Sequence, residues 1–325
     1  MKFTFLGTSA GLPTKQRNVT SLAISLEKEK GWCLVDCGEG TQQQLLHTPY
    51  TLATLEAIFI THIHGDHCYG LPGILATAGM SGRTKPIKII APKPIEEFIT
   101  VVLKTTDCYI PYSIEFIATE ELDNDIEIAG FKVEAVELRH RVPSHAWYFT
   151  EINLDHKLNI EKLKQDNIPQ GPLWGRLCKG ENIILDKTRA LIGKDYWIDN
   201  IRPRKIIISG DNCQPNLLTQ ASKTLDVLVH EATYTQEVSD KVGKAPMHTS
   251  AKDIALFANN LQLPNLVLTH FSARYTQYGK NSIKLIHDEA KKFYCGNLFL
   301  AEDFATYHLN KNGQLKQLPN INNKG

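Results

Sequence analysis

LEAIFITHIHGDH, residues 55–67, runs from an unbroken apolar segment straight into three histidines and an aspartate. A short continuous apolar run is the pattern of a strand buried on both faces. Similar runs recur as PIKIIAP near 86–92, FKVEAVEL at 131–138, KIIISGD at 205–211, LDVLVHE at 225–231 and NLVLTHF at 265–271. Further strands are expected at 2–6, 19–26 and 32–36, with a thin helix at 41–47. PIEEFITVVLKTT at 94–106 and SAKDIALFANNLQ at 250–262 read as helices. Strands interspersed with helices predict a layered α/β fold.

The 325 residues carry 36 Lys/Arg against 35 Asp/Glu, with 42% apolar residues, so disorder, collagen and coiled coil are excluded as the main architecture. No run reaches the roughly 18 apolar residues of a membrane span, and MKFTFLGTSAGLP lacks the apolar centre of a secretory signal. Seven cysteines, an odd number in a chain able to bury a core, argue against a disulfide framework and for a cytoplasmic location. Cys33 and Cys37 have no second pair to complete a metal site, and buried thiols are the expectation for most cysteines. Near-zero charge excludes a uniformly basic nucleic-acid binder but not a local patch. Residues 157–205 provide one: 11 Lys/Arg against 6 Asp/Glu, leaving the remainder net acidic. Asn159 is expected to cap the helix IEKLKQDN there, and GPLWG at 171–175 reads as a turn with an exposed Trp174.

Four apolar runs end in a possible metal ligand. The first delivers His62, His64, Asp66 and His67, and the others deliver His140, Asp211 and His270. Strand ends are where α/β sheets build sites, because the scaffold fixes the backbone while the loops vary. A lone histidine is more often just hydrogen-bonded, but H-x-H-x-D-H packed behind a buried strand would be costly without a cation. Seven candidates exceed the four ligands of one tetrahedral ion and suit two, with a carboxylate bridging. In two-metal hydrolytic sites, ions about 3.5–4 Å apart share a water whose pKa falls toward neutrality.

THIHGDH resembles the signature of the metallo-β-lactamase superfamily, and the chain as a whole resembles the short form of the ribonuclease Z family. PTKQRN at 13–18, HEAT at 230–233, HTS at 248–250 and IEKLKQDNIPQGPLWGRLCKG at 160–180 are similar to that family's local motifs, in order, from Lys2 to about His308. The resemblance implies an αββα metallo-β-lactamase sandwich over 1–325, with a basic tRNA-binding arm inserted at 155–205. It implies a homodimeric endonuclease, dependent on two Zn²⁺ per subunit, that removes the 3′ trailer of precursor tRNA and leaves a 3′-hydroxyl. By the same resemblance His62, His64 and His140 hold one ion, Asp66, His67 and His270 the other, and Asp211 bridges. Asp66 doubles as a base in that family, although a metal-bound carboxylate is a poor one, so its ligand role is the firmer. His248 would protonate the leaving oxygen with Glu231 as its partner; hydrogen bonding to a carboxylate raises an imidazole's pKa and fixes its tautomer.

By type, Lys15, Arg17 and Asn18 suit phosphate oxygens, and the resemblance makes them substrate contacts. Gly171 and Pro172 of the arm and Arg274 are further candidates. Asp36, in DCGEGTQ, is read as supporting the metal loop by hydrogen bonds. His230 is given no catalytic role. Trp147 and Tyr148 read as core, and Trp174 either packs the arm's tip or touches RNA. The alternative function is a hydrolase of a small ester, thioester or phosphodiester, which would not need a basic arm. A third reading, a metal-stabilised RNA-binding module without activity, is disfavoured by the presence of Glu231 and His248.

Overall fold

The computed structural model describes every residue except Asp123, Asn153, Asp155, 186–188, 199–200 and 320–325. Asp155, the expected start of the arm, and the last six residues of the expected domain lie outside those described, as do Asp186, Lys187 and Asp199 among the arm's charges. The described residues form two compact units, one from 1–150 with 205–319 and the other from Glu151–Arg204.

Among the described residues the larger unit holds two large sheets and a two-stranded pair, Ser9–Ala10 with Phe271–Ser272. The first orders its strands Leu315–Gln317, Thr306–Leu309, Lys2–Gly7, Ser21–Ser25, Trp32–Cys37, Leu55–Phe59, Ile87–Ala91 and Ile114–Ala118. The second orders them Asn297–Leu300, Asn265–Thr269, Val227–Glu231, Lys205–Ser209, Ser144–Glu151, Phe131–Leu138 and Ile126–Ile128. The period of two sorts side chains into layers. Cys33 and Val35 join Phe3, Phe5 and Phe59 in one apolar cluster with Phe149, Ile206, Ile208, Val227, Val229 and Val267 of the other sheet. The alternate residues Trp32, Leu34 and Ile58 face helices Leu71–Met80 and Pro94–Thr105. Ile207, Leu228, Leu266 and Leu268 face helices Ala251–Asn260 and Lys284–Phe293. The result is helix, sheet, sheet, helix, which is why the central strands read as continuous apolar runs: both faces are covered. Each fully buried large apolar side chain contributes roughly 1.5–3 kcal/mol.

Leu55–Phe59 lies parallel to both its neighbours, and Lys205–Ser209, Val227–Glu231 and Asn265–Thr269 are parallel to one another. Their carboxyl ends carry the polar residues singled out above. Leu55–Phe59, Lys205–Ser209 and Asn265–Thr269 end two or three residues before their runs do, so Thr61 and His62 lie past the last rung. Trp147 is fully buried and Tyr148 packs on the outer cluster, as core residues should. The cysteines are all free, with Cys33, Cys37 and Cys68 buried. No helix among the described residues is long and apolar enough to cross a membrane.

The smaller unit has its own core of Leu163, Ile168, Leu177, Ile183, Leu191 and Tyr196. Asn159 caps helix Ile160–Gln165, its side chain accepting from the Lys162 N–H at 3.0 Å. GPLWG is not a turn but the start of helix Pro172–Cys178, since a proline in the first turn forfeits no intrahelical bond. Trp174 is half-buried against the small core and donates to the Ile168 carbonyl at 3.3 Å. The two ends of the unit are joined by Arg204, which reaches both Glu151 oxygens at 2.7 Å in a buried fork.

Arg204→Ala leaves the buried Glu151 carboxylate uncompensated, and opening of this unit should become easier by about 3–5 kcal/mol, read by amide exchange within 151–204. A Glu151→Leu/Arg204→Met pair should recover most of that loss.

Candidate metal centre

The site begins where Leu55–Phe59 ends. Thr61 and His62 run on in extended backbone, then Gly65–Cys68 forms a single helical turn that carries Asp66 and His67. Two glycines allow the close approach of backbone here. A Cβ on Gly38 would lie 2.3 Å from the Asp66 carbonyl oxygen, and one on Gly210 2.6 Å from Cβ of Thr61.

All seven ligand candidates converge. His64 Nδ1 lies 3.1 Å from His62 Nε2 and 3.2 Å from His140 Nε2. Asp211 Oδ2 completes this cluster, 3.8 Å from His62 and 3.6 Å from His140. In the second cluster His67 Nε2 and His270 Nε2 are 3.3 Å apart, and each is 3.4 Å from Asp66 Oδ2. Asp211 Oδ1 stands 3.5 Å from His67 and 3.3 Å from His270. One carboxylate thus turns an oxygen to each cluster.

The inward atoms are acceptors, because the outward nitrogens are already spoken for. His62 Nδ1 donates to Thr61 Oγ1 at 3.0 Å, and that hydroxyl donates to Asp36 at 2.9 Å. His67 Nδ1 donates to Asp36 at 2.7 Å, His140 Nδ1 to the Met247 carbonyl at 3.1 Å, and His270 Nδ1 to Thr233 Oγ1 at 3.1 Å. Each bond orients its ring with Nε2 facing inward, the arrangement seen around ligating histidines. A tetrahedral ion with bonds of about 2.0–2.1 Å has donor–donor edges of about 3.3 Å, so the donor set fits a metal cofactor in chemistry and in spacing. Asp36 supports the loop as the sequence suggests, also accepting from the Thr61 N–H at 2.8 Å.

The two clusters differ electrically. Burial lowers the pKa of His62, His64 and His140, leaving them neutral at pH 7 and ready to ligate. Burial also opposes charge on His67 and His270, but nearby carboxylates outweigh it. Asp66, Asp36 and Asp211 hold His67 well above its usual range, and Asp211, Asp66 and Glu231 push His270 up to about 10.

Glu231 and His248 stand beside this centre. His248 Nδ1 is 2.9 Å from Glu231 Oε2, an ion-pair contact. Burial opposes protonation of His248, yet Glu231 raises its pKa; the reverse interaction holds Glu231 well below the carboxylate range. Such an imidazolium can give up a proton. Thr233 donates to the same Glu231 carboxylate, and the Asn212 N–H donates to its other oxygen at 2.7 Å. Thr249 donates to the Asn212 carbonyl, which ties the His248 loop to Asp211's neighbour. His230 is buried, paired with Asn212 at 3.2 Å and with the Glu231 carbonyl at 2.9 Å. Sequence reasoning missed Thr61, Asn212 and Thr233. The available signal was adjacency, since each sits within three residues of a candidate.

Among the expected substrate contacts, Lys15 is exposed. Arg17 donates to the Tyr275 carbonyl and lies over the Phe271 ring. Asn18 donates from its side chain to the Glu39 carbonyl at 2.8 Å. Both are committed within the chain. Arg274 is exposed, bonded to Ser272 at 3.1 Å and stacked on Tyr234. Gly171 and Pro172 are exposed at the helix start in the smaller unit.

A four-layer body with two acceptor clusters at its strand ends matches a class of known structure. The metallo-β-lactamase fold protein YhfI from Bacillus subtilis superposes with a TM-score of 0.63 at 18% identity, covering 94% of this chain and 98% of its own. The protein therefore has the metallo-β-lactamase fold. A family model described as anti-Pycsar protein Apyc1 matches residues 1–160. A ribonuclease Z from Marinobacter nauticus is 51% identical over 320 residues, 98% of this chain and 99% of the relative. Human tRNase Z, short form, superposes with a TM-score of 0.64 at 26% identity, covering 95% of this chain and all of its own. The chain belongs to the ribonuclease Z family.

Metal uptake at the Asp66 half must displace protons from His67 and His270. Affinity should rise with pH from 6.5 toward about 10, with proton release measured by calorimetry in buffers of different ionisation enthalpy. The sign for the metal-free fold is opposite: the raised His270 pKa adds stability below pH 6.5 that is lost as pH passes about 10. Asp36→Ala, which frees the rings of His67 and His62, should weaken metal binding about 10–100-fold in competition with a chromophoric chelator.

Proposed function

We propose that this protein is a tRNA 3′-processing endonuclease that hydrolyses the phosphodiester at the start of the 3′ trailer of precursor tRNA, leaving a 3′-hydroxyl. The observation that carries the reading is 51% identity over nearly the whole length of a ribonuclease Z, in a chain whose acceptor clusters and His248–Glu231 pair are all assembled.

His62, His64 and His140 would hold one zinc and Asp66, His67 and His270 the other, with Asp211 shared. Bound there, the pair supplies Lewis-acid polarisation of the phosphoryl oxygens and a water acidic enough to attack near neutral pH. The chain's own residues do the rest. Asp211 and Asp66 offset the local positive charge and orient the donors around it. His248 keeps Nδ1 against Glu231, so the proton left to give is on Nε2, directed to the departing 3′ oxygen. Glu231, held by Thr233 and Asn212, keeps that imidazole charged until the proton leaves.

The smaller unit would supply the affinity that a metal site lacks. Recognition of the tRNA body rests on phosphate contacts, and Lys164, Arg176 and Lys179 are exposed there. Gly171 and Pro172 would shape its tip. Lys15 and Arg274 are the exposed cations of the larger unit that suit the cleaved strand. In this reading the enzyme is a cytoplasmic homodimer in which the arm of one subunit grips the substrate of the other.

End-mapping of a cleaved precursor, with metal analysis of the same sample, tests the assignment; a metal-loaded protein that hydrolyses small esters but trims no precursor contradicts it. Asp211→Ala should lose metal and cleavage together. His248→Ala should retain metal and lose about 10²–10⁴-fold in kcat. Lys164→Ala/Lys179→Ala should flatten the salt dependence of precursor binding, by about one unit of slope per lost phosphate contact, and spare bis(p-nitrophenyl) phosphate turnover.

A further inference from the structure

Asp303 lies away from both acceptor clusters, in the turn from Glu302 to Ala305 between strands Asn297–Leu300 and Thr306–Leu309. Its carboxylate is saturated. Oδ1 accepts from Thr8 Oγ1 at 2.7 Å, and Oδ2 accepts from the Asn18 N–H at 2.6 Å and from Gln44 Nε2 at 3.0 Å. Thr8 and Asn18 are the two ends of one loop, closed by the N–H groups of Thr8 and Ser9, which both donate to the Asn18 carbonyl at 2.9 Å. Asp303 therefore grips the neck of that loop.

The other end of the loop reaches the metal centre. The Gly11 N–H donates to Asp66 Oδ2 at 2.8 Å, the same oxygen that faces His67 and His270. The loop is braced on its second side as well. The Phe271 N–H donates to the Thr8 carbonyl at 2.9 Å, and Arg17 reaches across to the Tyr275 carbonyl. Phe271 directly follows His270, so the loop spans between the carriers of two ligand candidates.

Two features indicate that this arrangement is held against resistance. Phe304 has a φ of 67°, a left-handed conformation that a bulky side chain adopts only when its surroundings impose it. Its N–H donates to the Phe5 carbonyl at 2.7 Å, and its ring packs edge-on to His47. Burial pushes the Asp303 carboxyl up to about 6, against the bonds from Asn18 and Thr8 and the charge of Arg17.

We propose that Asp303 is a positioning residue for the metal centre: by clamping Thr8 and Asn18 it presents the Gly11 N–H to Asp66 and so sets the orientation of that carboxylate. This rests on the reading of Asp66 as a ligand. Asp303 does not touch the reacting atoms; it acts through the loop.

The test is zinc stoichiometry and affinity, by chelator competition, in Asp303→Asn and Thr8→Val. Both variants should keep one tight equivalent and weaken the second about 10–100-fold. The double variant should lose no more than the worse single one, because both act on one clamp. A merely structural role would lower the melting temperature and weaken both equivalents together, and that outcome overturns the proposal. So does wild-type affinity for both equivalents in Thr8→Val, which decides the matter if Asp303→Asn fails to fold. A wild-type protein that binds two zinc ions but trims no precursor tRNA sinks the RNA reading and leaves this one standing.

Discussion

Asp211 turns one oxygen to each of two acceptor clusters, and the rest of the site follows from that division. A buried carboxylate surrounded by lone pairs is unfavourable unless positive charge sits among them. The nearby carboxylates raise the pKa of His67 and His270 against the opposing effect of burial. The architecture upstream serves to bring Asp211 to this point. It lies past the end of Lys205–Ser209, a strand covered on both faces, and a glycine precedes it where any Cβ would strike Thr61.

Left-handed backbone occurs at this centre too: of the eight non-glycine residues with positive φ among the described residues, Asp36 and His270 are at the acceptor clusters and Met247 precedes His248. Left-handed backbone at non-glycine residues is uncommon and costs of order 1–3 kcal/mol when truly strained. The packed sheets behind these positions supply what sustains it, as expected where chain direction must change within one residue of a functional side chain.

Much of this was legible in the sequence, for physical reasons. The seven ligand candidates announce themselves because each ends an apolar run or lies just past one, and the runs, Phe131–Leu138 apart, are strands buried on both faces. Glu231 and His248 are visible through local motifs. What escaped reading was of two kinds. Thr61, Thr233 and Asn212 each bond a partner in or just past another strand, Asp36, His270 and Glu231 in turn, and a hydroxyl or amide carries no sequence signal of its own. Arg17 and Asn18 are of the right type for phosphate, but their partners, Tyr275 and Glu39, are far along the chain, and type alone does not reveal a side chain already engaged. GPLWG misled because the same dipeptide that makes a turn also starts a helix.

Strand Ser144–Glu151 pairs antiparallel with Lys205–Ser209, with Thr150 opposite Lys205, so Glu151–Arg204 departs from and returns to the last rung of one ladder. Topologically it is an enlarged hairpin tip. Length and sequence there can drift over evolutionary time without disturbing the register of any sheet or the reach of any ligand-bearing loop. The scaffold can thus vary this segment as a cassette while the acceptor clusters keep their place.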